Sequence, residues 1–132
     1  MQQSTITSSE LSSINRILTY YDYFNNLENV FWKGTTLSGG IYSTEVYAFM
    51  RMLVDEEFVL RNFDWPHWEE GKIISKLIEF IEIADLLTIK KLLTTYIRND
   101  RFCSGAFGSF IKNGQILCIL KRLKMIINKE VN

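Results

Sequence analysis

Apolar residues recur at intervals of three and four along most of the chain, the spacing of one face of an α-helix. Thr7 and Glu10 have capping-box spacing, and Leu11, Ile14, Leu18 and Tyr21 follow, predicting a first helix over about 8–24 that Asn25-Asn26 ends. Residues 33–42, rich in glycine, serine and threonine, read as the longest loop. Ser43 or Thr44 caps a second helix, with Glu45 in its first turn and Val46, Phe49, Met50, Leu53 and Val54 as its stripe. The short apolar run 58–63 suits a minor strand or an extended link. Asp64-Trp65-Pro66 starts the next helix, in which Ile73, Ile74, Leu77, Ile78, Phe80 and Ile81 predict deep burial. Asp85 or Thr88 caps a helix carrying Ile89, Leu92, Leu93, Tyr96 and Ile97, which stops near Asn99-Asp100. A short segment with Phe107, Phe110 and Ile111 ends at Asn113-Gly114, and a last helix runs over 115–128. The pattern is that of an all-α protein: one compact domain over 1–132, with five or six helices and room for a minor strand near 58–63.

Composition agrees with a packed domain. Of 132 residues, 47% are hydrophobic and 14% aromatic, so a core forms without a disulfide scaffold. Fifteen basic residues balance fifteen acidic ones, which excludes a strongly basic nucleic-acid binder and a strongly acidic nucleic-acid mimic. The balance hides an asymmetry. Residues 1–65 hold four basic and eight acidic side chains, net −4, and the remainder holds eleven and seven, net +4. Met1 to Glu10 lack the basic-then-apolar order of a signal peptide, and no apolar run is long enough to span a membrane. Two cysteines, Cys103 and Cys118, fit free thiols of a reducing cytoplasm.

His67 is the single histidine, and no Gly-x-Ser-x-Gly elbow accompanies it, so no catalytic residue is assigned and a non-enzyme is expected. A structural zinc is the sharper chemical option, because zinc takes four N, S or O ligands in a tetrahedron. Asp64 and Glu70 flank His67 at three residues on either side, and Cys103 and Asp100 sit together in the break after Asn99. His67, Cys103, Asp64, Glu70 and Asp100 are therefore the candidate ligands. The basic last helix, with Lys121, Arg122, Lys124 and Lys129, offers too few cations to make direct nucleic-acid binding the leading reading. The acids Asp55, Glu56, Glu57 and Glu69 lie close in sequence to Trp65 and Trp68, which at three apart share a helix face. Those six residues form a candidate partner-binding surface, since aromatic side chains anchor interfaces.

Two segments carry a resemblance. Phe63-Asp64-Trp65-Pro66-His67-Trp68-Glu69-Glu70-Gly71 and Thr94-Thr95-Tyr96-Ile97-Arg98-Asn99-Asp100-Arg101-Phe102-Cys103-Ser104-Gly105 resemble a family of small bacterial and phage proteins bearing W-x-x-W-x-x-G followed by T-x-x-x-R-x-D-R-F-C-x-G. The resemblance covers about 45–125 and implies a helical fold with shared structural residues, without an established activity. Arg98, Asp100 and Arg101 would sit at a helix end, where bases meet exposed carbonyls and an acid pairs with them, and Phe102 would fill the core. Some phage proteins of this size inhibit bacterial immunity. The leading expectation is therefore a phage or mobile-element protein, an anti-CRISPR inhibitor that docks on a Cas9-type effector in the host cytoplasm and blocks nucleic-acid loading. The alternative is a zinc-stabilised helical domain acting as a metal-dependent hydrolase or a nucleic-acid-binding module.

Overall fold

The computed structural model describes residues 6–26, 28–35 and 39–131. Helix α1 (Ser8–Ile17) opens with the anticipated capping box: Thr7 Oγ1 accepts from the Glu10 N–H at 3.0 Å, and the Glu10 carboxylate accepts from the Thr7 N–H at 3.1 Å. The predicted single helix over 8–24 is broken by a 3-10 turn (Leu18–Tyr20) before α2 (Tyr21–Asn25). At the break the Thr19 hydroxyl bonds back to the Arg16 carbonyl at 2.6 Å, competing with the regular helical ladder, and Tyr20 packs edge-on against Phe49.

The segment 33–42 is not a loop. Strands β1 (Trp32–Thr35) and β2 (Gly39–Tyr42) form an antiparallel hairpin in which Trp32 faces Tyr42 and Gly34 faces Gly40. The glycines lower strand propensity, yet one of them is what the hairpin needs: a Cβ on Gly40 would lie 2.1 Å from the Trp32 indole, which occupies that space. Cross-strand packing of Trp32 against Tyr42, with ring centroids 4.6 Å apart and planes inclined at 59°, holds the pair.

Helix α3 (Thr44–Asp55) is capped by Ser43, whose hydroxyl accepts from the Val46 N–H. The segment 58–63 contains no strand, and the reason is specific. The two backbone groups of Leu60 bond to side chains of a helix: its N–H donates to Thr94 Oγ1 at 2.8 Å, and its carbonyl accepts from Arg98 Nη2 at 3.1 Å. A 3-10 turn (Trp65–His67) with Pro66 in its first positions precedes α4 (Glu69–Lys76) and the single-turn α5 (Ile78–Ile81). Helix α6 (Leu86–Phe102) is capped by Asp85, which accepts from the Thr88 N–H at 2.8 Å. Helix α7 (Ala106–Lys112) ends at Asn113, with Gly114 in the left-handed region at φ +93°, before α8 (Gln115–Val131). Merged across their breaks, these elements give the six helical runs that the spacing anticipates.

The core joins the inner stripes of α6 and α8 to Ile14, Ile17, Phe49, Leu53, Phe58 and Phe107. Tyr96 is its largest buried side chain. It stacks on Phe110 at 3.8 Å and shares a 2.9 Å hydrogen bond with Ser75, tying α6 to both α7 and α4.

Two burial expectations fail. The stretch 73–81 is not deeply buried: only Ile81 is, whereas Ile73, Leu77, Ile78 and Phe80 are exposed. Polar bonds from α8 hold this stretch in place, with Gln115 Nε2 donating to the Ser75 carbonyl at 3.0 Å and Arg122 Nε to the Ala84 carbonyl at 2.8 Å. Phe102 does not fill the core either; it is 81% exposed, and Phe107, beyond the turn, occupies the interior instead.

Candidate functional site

The five zinc candidates do not converge. His67 stands on the exposed 3-10 turn with Nδ1 3.0 Å from both Asp64 oxygens, and that pair is the one part of the set that comes together. Glu70 is exposed in the first turn of α4, and Cys103 is an exposed free thiol at the end of α6. Asp100 is turned to another task. Its Oδ1 accepts from the Tyr42 hydroxyl at 2.5 Å and from the Phe107 N–H at 3.0 Å. Among the described residues, no group of three or more His, Cys, Asp and Glu side chains is placed to hold a metal.

The acidic and tryptophan candidates divide in the same way. Glu56 is bound internally by both nitrogens of the Arg16 fork at 2.7 Å and by the Ser13 hydroxyl at 2.8 Å. Hydrogen bonding from Arg16, then from Ser13, holds its carboxyl below the usual range. Asp55, Glu57 and Glu69 are exposed; Asp55 lies 3.7 Å from Arg51 and Glu69 3.4 Å from Lys72. Trp65 and Trp68 do not share a face. The 3-10 turn and the non-helical Trp68 backbone (φ −85°, ψ 89°) send them to different neighbours. Trp65 meets Phe102, with centroids 6.0 Å apart. Trp68 packs on Phe63, lies flat where a Gly71 Cβ would be 2.3 Å from its ring, and receives the Lys91 ammonium at 5.8 Å.

The second motif works as two clamps. Thr94 and Arg98, one turn apart on α6, take both backbone groups of Leu60; the Thr94 hydroxyl also donates to the Lys90 carbonyl at 2.7 Å. Arg98 and Asp100 therefore do not pair with each other. Asp100 instead receives the hairpin through Tyr42, whose hydroxyl in turn accepts from the Gly108 N–H at 2.9 Å. Burial first, then the bond to Asp100, pushes the Tyr42 phenol well above its ordinary value. Gly105, at φ +88°, opens α7 with the Trp32 ring 3.2 Å from where its Cβ would be. Arg101 and Phe102 are exposed. Trp32 and Tyr42 are the residues that sequence reasoning missed. The available signal was a pair of large aromatics bracketing a glycine-rich stretch.

Two cavities adjoin these clamps. One, of about 810 Å3, lies beneath the hairpin among Phe24, Phe31, Trp32, Ser104, Ser109 and Lys112. The other, of about 400 Å3, lies between the end of α3, the 57–61 segment and α6. On α8, Lys121, Lys124 and Lys129 are exposed, but Arg122 is engaged with the Ala84 carbonyl and Lys124 sits 5.3 Å over the Tyr21 ring. Among the described residues, no helix is long and apolar enough to cross a membrane.

Over residues 9–129 the sequence matches the family described as a family of unknown function (DUF6508). The chain belongs to that family. No curated protein and no solved structure matches it. The match reaches well beyond 45–125, so α1 and the Trp32–Tyr42 hairpin belong to the DUF6508 unit along with both motifs.

Proposed function

We propose that this DUF6508 protein is a binding protein that docks on another protein and acts by occupancy, with no substrate turned over. One observation carries the reading. Large apolar side chains stand at the surface over 73–87: Ile73, Leu77, Ile78 and Phe80, which helical spacing assigns to a core, are exposed, Ile73 to 58%, and Ile83 at 71% and Leu87 at 54% extend the run. Single exposed apolar residues are ordinary, but six within fifteen consecutive positions are characteristic of an interaction surface. Covering the remaining exposed part of Ile83 or Leu87 stabilises a complex by on the order of 1 kcal/mol each, so the set supplies a docking energy that one contact could not.

Glu79 and Glu82 lie exposed on the same stretch, and Asp85 caps the helix that follows. Lys72 and Lys76, also exposed, stand before these acids in the stretch, so a partner whose apolar groove carries basic residues beside the Glu79–Asp85 end fits the patch. The positively charged nucleic-acid channel of an immunity effector supplies such basic residues. In its fullest form the reading is a phage or mobile-element inhibitor of a host immunity protein, with a Cas9-type effector as the first partner to test. Ile83→Asp and Leu87→Asp place charge in the patch without disturbing the core. The expected result is that the parent protein binds the effector and suppresses its DNA cleavage, and that the double variant does neither while melting like the parent. Undiminished cleavage in the presence of the parent protein, across effector types, would overturn the partner. Undiminished binding by the double variant would overturn the surface.

A further inference from the structure

We infer that the cavity between α3, the 57–61 segment and α6 is a binding site for a small phosphate monoester. Four cations line it: Arg61, Lys90, Arg98 and Arg101, against the single carboxylate of Glu57. The three residues from α6 follow helical spacing, at 90, 98 and 101, which brings them to one side of the helix. Lys90 already pairs with Glu10 at 3.0 Å, so it contributes a screened charge. The three arginines are different. Among the described residues none of them has an ion-pair partner, although all three border one space.

Arg98 is the centre of the site. Its Nη2 is fixed on the Leu60 carbonyl, which holds the guanidinium in one orientation before any ligand arrives. Its Nε is buried and lacks a hydrogen-bond partner. That Nε has almost no accessible surface, so an anion in the cavity acts on it as a nearby negative charge, and the anion meets the guanidinium where Arg98 lines the space. Arginine presents a planar fork matched to phosphate oxygens, and Arg61 and Arg101, both exposed, leave the site open to solvent. More than one guanidinium suits a dianionic phosphoryl group better than a single carboxylate. Val54, Val59 and Ile97 supply an apolar wall, and a volume of about 400 Å3 leaves room for a small organic body beside the phosphoryl group.

The test follows the arginine Nε–H signals of the full chain by proton–nitrogen NMR. The probes are inorganic phosphate, uridine monophosphate, uridine and a short oligothymidylate. The Arg98 signal is assigned by its loss in Arg98→Lys. It should shift on adding phosphate, saturate at lower concentration with uridine monophosphate, and stay unmoved with uridine. Arg61→Gln with Arg101→Gln, both at exposed positions, should raise the uridine monophosphate Kd by about tenfold or more with no change in Tm. The proposal is overturned by an Arg98 signal that phosphate and uridine monophosphate leave in place at on the order of ten millimolar. It is also overturned by a double variant that binds like the parent. Oligothymidylate binding far more tightly than the monoester, with a steep salt dependence, would replace it with a nucleic-acid surface.

Discussion

Replacing Tyr42 with phenylalanine isolates the bond that anchors the hairpin to the helices. The ring stays, so its packing against Trp32 and its burial are kept, and only the hydroxyl is lost. Two interactions go with it. The hydroxyl donates to the Asp100 carboxylate at 2.5 Å, a charge-assisted bond of the kind that contributes about 1.5 to 3 kcal/mol. It also accepts from the Gly108 N–H at 2.9 Å, and an amide left without a partner costs about 1 to 3 kcal/mol. The Asp100 carboxylate and Gly108 are only half-buried, so water recovers part of both terms, and a net loss of about 2 to 3 kcal/mol is expected. For a chain of 132 residues that corresponds to a fall in Tm of roughly 8 to 12 °C, read from far-ultraviolet circular dichroism at neutral pH. Hydrogen exchange should show where the loss falls. The amides paired across Lys33 and Ile41 should exchange faster, while those in the middle of α6 and α8 track the global change. Combining Tyr42→Phe with Asp100→Asn should destabilise by less than the sum of the two single changes, because they share the bond. A Tm within about 2 °C of the parent, with hairpin protection intact, would refute the anchor.

Two more outcomes follow from burial. Desolvation pushes the Tyr96 phenol up to about 12, and Tyr42 is raised as well, chiefly by its burial. In the unfolded chain both ionise near their ordinary value of 10.0, so the stability they contribute is complete below that pH and is lost as pH rises through it toward the folded values. Equilibrium urea unfolding at successive alkaline pH should therefore show stability falling by about 1.4 kcal/mol per pH unit for each tyrosine; a flat profile above pH 10 would contradict the burial of both. The second outcome separates two neighbouring phenylalanines. Phe107→Ala should cost about 3 to 5 kcal/mol and Phe102→Ala about 0.5 kcal/mol or less by chemical denaturation, because one ring is 0% and the other 81% exposed.

The features legible in the sequence were those whose physics is local. The Thr7–Glu10 box, the Ser43 and Asp85 caps and the Asn113-Gly114 stop are all closed by bonds across three or four residues, so spacing alone locates them. The hairpin was not legible. Trp32 and Tyr42 flank glycines that argue against a strand, and the bond that seats Tyr42 reaches 58 positions along the chain to Asp100. The expected strand at 58–63 failed for the same reason, since Leu60 finds its partners at Thr94 and Arg98. Asp100 reads as a metal ligand because it is an acid three positions from a cysteine, and sequence proximity does not show that its carboxylate faces a tyrosine from the other half of the chain.

The failed burial expectation at 73–81 has a different cause. Helical periodicity records that a face is apolar, and the pattern is the same whether that face meets the protein's own interior or the surface of another molecule. Here Ile81 and Ala84 pack inward while Ile78, Phe80 and Ile83 around them face solvent, and polar bonds from Gln115 and Arg122 add to that packing in fastening the stretch to α8. A segment held at its backbone carbonyls keeps its apolar side chains free to meet a partner. The Leu60 segment is likewise held at its backbone: side chains of α6 bond to both of its main-chain groups, and the arginine that makes one of those bonds retains a buried N–H without a partner. The exposed apolar stretch is suited to an apolar protein surface, and the arginines that border the space beside Leu60 without an ion-pair partner among the described residues are suited to an anion.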